Sequence, residues 1–408
     1  MVTEEIFLHN KPGKNLADVQ EINRSLILKL LRKNEICSRA FLAKATGLQQ
    51  ATISIIVSDL IKKGVVVETG FIEGEKGRRS IGIALNAEKY KVIAVKLTRQ
   101  YITVALFDIC GKGYEHIKEK IDFTDGSENA MKKMKAMIKT LINRNANDVC
   151  IGLGMAIPGP FMRREGRIIL MTEFPGWEKI HITDELSESF HIPVILEHDA
   201  NCSAIAEWWS GDYASEEGTL VSVMAGQGIG AGIIVDGKLL FGSMGIAGEI
   251  GHMSIDVNGE RCICGNRGCL YRYCSTVALE KSVEASLGDY PDSVLHQGRS
   301  VTDIINATHH NDPLALAAID KAAWYLGFGL ANVANIYNPD VIVISDEMAQ
   351  AGARFLDGVK SSVKEHVLHE IYENMQVVLS TLEGDSALLG AGILAVNEVL
   401  NTPSALFT

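Results

Sequence analysis

Residues 245–269 read GIAGEIGHMSIDVNGERCICGNRGC. His252, Cys262, Cys264 and Cys269 all fall inside this one short glycine-rich segment. Zn²⁺ favours four nitrogen or sulfur ligands in a tetrahedron, and one histidine with three thiolates is among its usual closed, structural sets. The pair Cys262-Ile263-Cys264 is spaced more tightly than in the usual finger. Gly265 and Gly268 let the backbone fold back so that Cys269 can join. The segment is therefore read as a structural zinc site, against the plainer alternative of ordinary reduced cysteines near a loop. Cys274, beyond a tyrosine-rich segment, is expected to be a packed thiol. Glu249 and His252, set among glycines, suggest that one face of the loop serves the metal and the other a ligand.

The surrounding chain of 408 residues predicts two or three domains with a sizeable core. No signal peptide is read at its start, and no apolar stretch long enough to span a membrane. Eight cysteines, among them Cys110 and Cys150 in apolar runs, fit a reducing cytoplasm better than a disulfide framework. A net charge of −11 argues against a nucleic-acid partner, but its distribution does not. Residues 1–85 carry 13 Lys+Arg against 9 Asp+Glu, whereas the remainder carries 26 against 41. Such asymmetry points to an appended module with a partner of its own.

In that module Ile22, Leu26, Ile27, Leu30 and Leu31 form the stripe of an amphipathic helix. Ser38 can cap a second, short helix that Gly47 ends. A third helix, from about Gln49 to Lys63, turns Ile53, Ile56, Val57 and Leu60 inward. Val65–Val67 and Ile81–Leu85 read as paired strands joined by the loop holding Lys76, Arg78 and Arg79. Three helices and a basic-tipped hairpin describe a winged helix-turn-helix over residues 1–85. Its recognition helix would present Gln49, Gln50, Thr52, Ser54 and Ser58 to base edges, with Ser38 and Lys44 also counted in the interface. Lys44, Lys62 and Lys63 suit phosphate, and Arg78 and Arg79 suit a narrow minor groove. The competing reading is a helical dimerisation domain with a solvated loop. Ile55 falls where a polar residue is expected.

Beyond residue 90, short β-branched runs alternate with helical stretches, and the alternation occurs twice, around residues 91–197 and 220–345. That pattern is α/β, with two related lobes and a cleft between them. The C-terminal helix from about Ser386 would return to the first lobe, and Asn86–Lys89 would be the hinge to the module.

The segments Ile157-Pro158-Gly159-Pro160, Pro175-Gly176-Trp177, His198-Asp199-Ala200-Asn201, Gly228-Ile229-Gly230-Ala231-Gly232, Gly248-Glu249-Ile250-Gly251-His252 and Cys262-Ile263-Cys264-Gly265 through Leu270 resemble those of the ROK family. They stand in that family's order across nearly the whole body. With the N-terminal module, the resemblance is to its repressor branch, the xylose-repressor and NagC/Mlc-like regulators. It implies a two-lobed actin-like/sugar-kinase (ribonuclease H-like) fold: a small lobe of residues 90–200 plus 385–408, and a large lobe of residues 201–384 with the zinc loop. It also implies zinc on His252, Cys262, Cys264 and Cys269, operator DNA and a sugar effector as partners, and a homodimer or tetramer. By resemblance Asp199, Glu249 and His252 contact the sugar, and Gly159 would allow close backbone approach; the plainer alternatives are a helix N-cap for Asp199 and a solvated loop acid for Glu249. His198, Glu173 and Tyr271 stand where the family usually has Asn, Asn and Glu, which puts glucose itself in doubt.

Phosphoryl transfer needs a backbone cradle for the nucleotide as well as a base. Where the family's kinases carry an acidic, glycine-containing turn, this chain reads Val95-Lys96-Leu97-Thr98-Arg99-Gln100. A second phosphate loop survives in part as Ala225-Gly226-Gln227-Gly228, and a Gly-Gly turn is replaced by Ser345-Asp346. The expectation is a sensor that kept the sugar cleft and lost ATP, not an enzyme. An active sugar kinase and a ligand-blind regulator controlled by a protein partner are the rivals.

Overall fold

The computed structural model describes residues 15–73, 79–122, 126–159, 161–162, 167–168, 176–213 and 217–407. Helix α1 (Leu16–Asn34) opens with a capping box in which Asn15 and Asp18 exchange side-chain-to-backbone hydrogen bonds. Strand β1 (Cys37–Ser38) leads into α2 (Arg39–Thr46), where the Ser38 hydroxyl accepts from the Phe41 N–H. Helix α3 (Gln50–Lys62) buries Ile53, Val57 and Leu60, spaced as one helical face requires, while Ile56 is only half-buried. Strands β2 (Val66–Glu73) and β3 (Arg79–Leu85) pair antiparallel, and β1 completes the sheet on the free edge of β3. This third strand was not legible from its two residues.

The first lobe's sheet starts as a meander of β4 (Tyr90–Leu97), β5 (Tyr101–Asp108) and β6 (Gly113–Lys120). After α4 (Gly126–Arg144), β7 (Val149–Ile157) pairs parallel with β4. A ribbon of β8 (Phe161–Met162) and β9 (Arg167–Ile168) and helix α5 (Ile182–Phe190) precede β10 (Val194–His198), which pairs parallel with β7. Helix α6 (Asp199–Ser210) carries the chain into the second lobe.

There β11 (Thr219–Ala225), β12 (Ile229–Val235) and β13 (Lys238–Leu239) form another antiparallel meander. Helices α7 (Tyr271–Cys274), α8 (Thr276–Ser286), α9 (Val301–His309) and α10 (Pro313–Tyr337) follow, then β14 (Val341–Ser345) parallel to β11. Helices α11 (Ala353–His366) and α12 (His369–Asn374) lead to β15 (Gln376–Leu379), parallel to β14. The strand orders β6-β5-β4-β7-β10 and β13-β12-β11-β14-β15 thus share one plan, which is the repeat visible in the sequence. Helix α13 (Ser386–Asn401) returns to the first sheet.

Strand β4 shows why both faces of that sheet must be apolar. Ile93, Val95 and Leu97 pack with Met131, Met134 and Ile138 of α4 on one side. Val92 and Ala94 alternate to the other side and join Ala391 and Ala395 of α13. The second cluster continues without a break into Ile27, Leu28 and Leu31 of α1, so module and body share a core.

Two expectations need correcting here. Asn86–Lys89 is a stapled turn rather than a free hinge. The Asn86 side chain donates to the Gly64 carbonyl (2.9 Å) and the Tyr90 hydroxyl to the Lys63 carbonyl (3.1 Å), fastening it to the end of α3. Helix α10 does pass the length and apolarity test for a membrane span, alone among the described residues, against the expectation that no stretch would. It is a core helix: Leu314, Ile319, Leu326 and Leu330 are buried in the second lobe's core, and the helix packs on α11, α7, α8 and α9.

Candidate effector cleft and nucleic-acid interface

His252, Cys262, Cys264 and Cys269 converge so that their ligand atoms all lie within 4.8 Å of one another. Cys262 Sγ is 3.8 Å from His252 Nδ1, and Cys264 Sγ is 3.6 Å from Cys269 Sγ. Zinc–sulfur bonds of about 2.3 Å in a tetrahedron require edges of about 3.8 Å, so the donor set fits that ion. The close return depends on Gly268, which has a φ of 62° and leaves no room for a Cβ beside the Asp256 carbonyl. Cys274 is fully buried and its thiol donates to the Leu270 carbonyl, the packed role expected.

His252 also lines a cleft of about 770 Å³ between the two sheets. Gly159, His198, Asp199, Glu249 and Tyr271 line it too, so the cleft gathers residues from the turn after β7, β10, α6, α7 and the zinc loop. His198 Nε2 stands 3.3 Å from Asp199 Oδ1 and 3.8 Å from Glu249 Oε1. A Cβ on Gly159 would come within 2.5 Å of His198 Nε2 and 2.7 Å of Glu249 Oε1, so only glycine permits this convergence. Two carboxylates, an imidazole and a close backbone can exchange the directed hydrogen bonds that a polyol's hydroxyls make in water. Asp199 is not the cap of α6. His198 takes that position, and Asp199, in the first turn, accepts from the Ala200 N–H at 2.7 Å. Behind the site, buried Glu197 accepts from the His198 N–H and the Asn201 side chain, each at 2.9 Å.

The same cleft is also lined by charge that the chain pairs within itself. Lys96 is buried on β4 and places Nζ 2.7 Å from Asp385 Oδ2 and 2.9 Å from Oδ1. Burial alone would lower the Lys96 pKa, but Asp385, Asp346 and Asp199 together reverse it and hold the amine protonated. Asp346 has φ 75° and ψ −163°, backbone space that is essentially glycine's, and its carboxylate lies over Gly226, where a Cβ would meet Oδ2 at 2.5 Å. Desolvation raises its pKa, as do Asp385 and Asp199, with Lys96 opposing. Sequence reasoning noted the replaced glycines but missed Asp385, whose partner lies 289 residues away.

In the module, Gln49, Gln50, Ser54 and Ser58 are exposed along α3, Lys44 is exposed on α2 and Arg79 on β3, whereas Thr52 is half-buried. Ser38 leaves the candidate interface, because it is buried and its hydroxyl is committed to capping α2. Lys76, Arg78 and Glu173 lie outside the described residues.

A winged module ahead of two lobes with one repeated sheet plan and a cleft between them defines a regulator built on the sugar-kinase fold. The chain belongs to the ROK family, which it matches over residues 92–398, and to that family's branch of transcriptional regulators. It is 30% identical to the xylose repressor of Bacillus subtilis over 389 residues, 94% of this chain and 97% of the relative. A crystal structure of a ROK family transcriptional regulator, a homologue of the E. coli MLC protein, superposes with a TM-score of 0.82 at 26% identity, covering 95% of this chain and 98% of the other. A ROK family glucokinase from Streptomyces griseus, crystallised with glucose and AMPPNP, shares the fold (TM-score 0.67, 23% identity) over 75% of this chain and 99% of its own.

Proposed function

We propose that this protein is a sugar-responsive transcriptional repressor that holds its effector in the interlobe cleft and binds operator DNA through α3 and the wing. The observation that carries the reading is the state of the cleft. Gly159, His198, Asp199, Glu249, His252 and Tyr271 line it together, while Lys96, Asp385 and Asp346 set protein charge into the same lining, beside Gly226. Glu173 is assigned to the sugar site by resemblance alone.

Residues 1–85 form the DNA-binding unit, residues 90–200 with 385–408 the small lobe, and residues 201–384 the large lobe, a division the sheet boundaries support. Gln49, Gln50, Thr52, Ser54 and Ser58 face bases, and Lys44 and Arg79 face backbone or minor groove; Lys76 and Arg78 are assigned to this interface from the sequence alone. A homodimer or dimer of dimers matches a palindromic site, since two-fold protein symmetry sets half-site spacing.

His252, Cys262, Cys264 and Cys269 would hold a zinc ion whose role is structural: it cross-links the loop. With Nδ1 turned toward Cys262, the His252 ring keeps Nε2 for the cleft, so the fold of the loop sets the geometry offered to a sugar hydroxyl. The body does not transfer phosphate. A triphosphate needs close backbone approach and cationic support, and here it would meet the carboxylates of Asp346 and Asp385. Sugar changes DNA affinity only by binding the two lobe arrangements unequally.

Titrating hexoses, pentoses and their phosphates into the full-length protein on its own promoter DNA tests this. Release by at least one sugar, without ADP formation from added ATP, is expected. Turnover of ATP would make it a kinase, and indifference to every sugar would favour control by a protein partner.

A further inference from the structure

The exposed arc of α3 carries two parallel strips. Gln50, Ser54, Ser58 and Lys62 recur every four residues and form a polar strip, and Ala51 and Ile55 form an apolar one beside it. Ile55 is 72% exposed, whereas Ile53, Val57 and Leu60 on the same helix are fully buried. A β-branched residue there lowers helix propensity slightly and gains nothing from the core. One turn further along, Asp59 is not apolar, and it is held in ion pairs with Arg24 (3.0 Å) and Lys63 (3.2 Å). An apolar contact is thus left on a face that is otherwise built for hydrogen bonding.

In the major groove an A·T pair offers adenine N7 and N6 for hydrogen bonding and, on the same edge, the thymine 5-methyl, the one apolar feature of the base-pair code. Resting on the assignment of α3 as the base-reading helix, we infer that Ile55, flanked by Ala51, is a specificity-determining residue that receives a thymine methyl, while Gln50 and Ser54 hydrogen-bond to neighbouring base edges. The contact selects T over C at one position of each half-site through a methyl group rather than a hydrogen bond.

The test uses the full-length protein and a duplex site enriched from a randomised pool, at one fixed salt concentration because phosphate contacts dominate affinity. Each thymine in the half-site is replaced in turn by deoxyuridine, which removes only the methyl. One thymine per half-site is expected to cost the wild type about fourfold in affinity, the worth of one buried methyl-sized group. Ile55→Ala should bind more weakly and show no loss at that thymine, while its losses at every other position match the wild type's. Wild-type indifference to every deoxyuridine overturns the inference, as does an Ile55→Ala protein that keeps the full loss. If no sequence is enriched over the random pool even at low salt, the DNA-binding reading fails instead, and this inference with it.

Discussion

Two groups of residues in the cleft lining have been built by opposite rules. In one group a glycine is kept at 159 so that His198, Asp199 and Glu249 can converge on a small space. In the other a glycine-like backbone is kept at 346 but given a carboxylate, which lies where an anion would have to approach Gly226. The first arrangement is suited to uncharged hydroxyls. The second sets a carboxylate beside Gly226 and seats an ammonium of the chain's own, Lys96, against Asp385. A fold shared with kinases therefore need not carry their chemistry.

The sharpest way to break the contrast is through the loop that shapes the first group. Cys262→Ser and Cys264→Ser should each lower bound zinc well below one ion per chain and abolish the sugar response, since structural zinc sites are worth roughly 10 kcal/mol or more to local folding. Unchanged metal content by elemental analysis would remove the site. Asp199→Asn comes next. Losing a charged hydrogen-bond acceptor should weaken effector binding roughly 10- to 100-fold by calorimetry and leave DNA affinity without sugar intact.

At Asp346 the expected changes are smaller and favourable. Asp346→Gly removes backbone strain of order 1–3 kcal/mol and should raise the thermal midpoint. A lower midpoint would mean that the carboxylate contributes more than the strained backbone costs. Asp346→Asn separates charge from backbone. Because the Asp346 pKa is raised by folding, ionising it opposes the folded state, so the variant should be the more stable at neutral pH. That gain should shrink as pH falls through the folded pKa and vanish below about pH 4, where both states are protonated. A gain that persists in acid would exclude charge as its cause.

Much of this was legible in the sequence because it is local. The stripe Ile27, Leu31 on α1, the caps at Ser38 and Gly47, the clustered donors from His252 to Cys269 and the repeated strand–helix alternation each lie within one short window. What stayed hidden depends on topology or on backbone angles. Lys96 meets Asp385 only after the whole second lobe has been threaded and the chain returns through α13. No residue pattern announces that Asp346 takes a positive φ, or that His198 rather than Asp199 caps α6. The apolarity of α10 was underestimated because its polar residues are spread along one edge instead of interrupting the buried face.

The seam between module and body has a mechanical consequence. Arg32 of α1 stacks on Trp209 of α6, the Ser404 N–H donates to Glu21, and the Asn86 turn is pinned at both ends. Close-packed side chains do not bend smoothly; they jump between discrete interlocked settings. News of an occupied cleft would consequently reach the recognition helix as a snap rather than a sway, and the head and body should melt as a single cooperative unit.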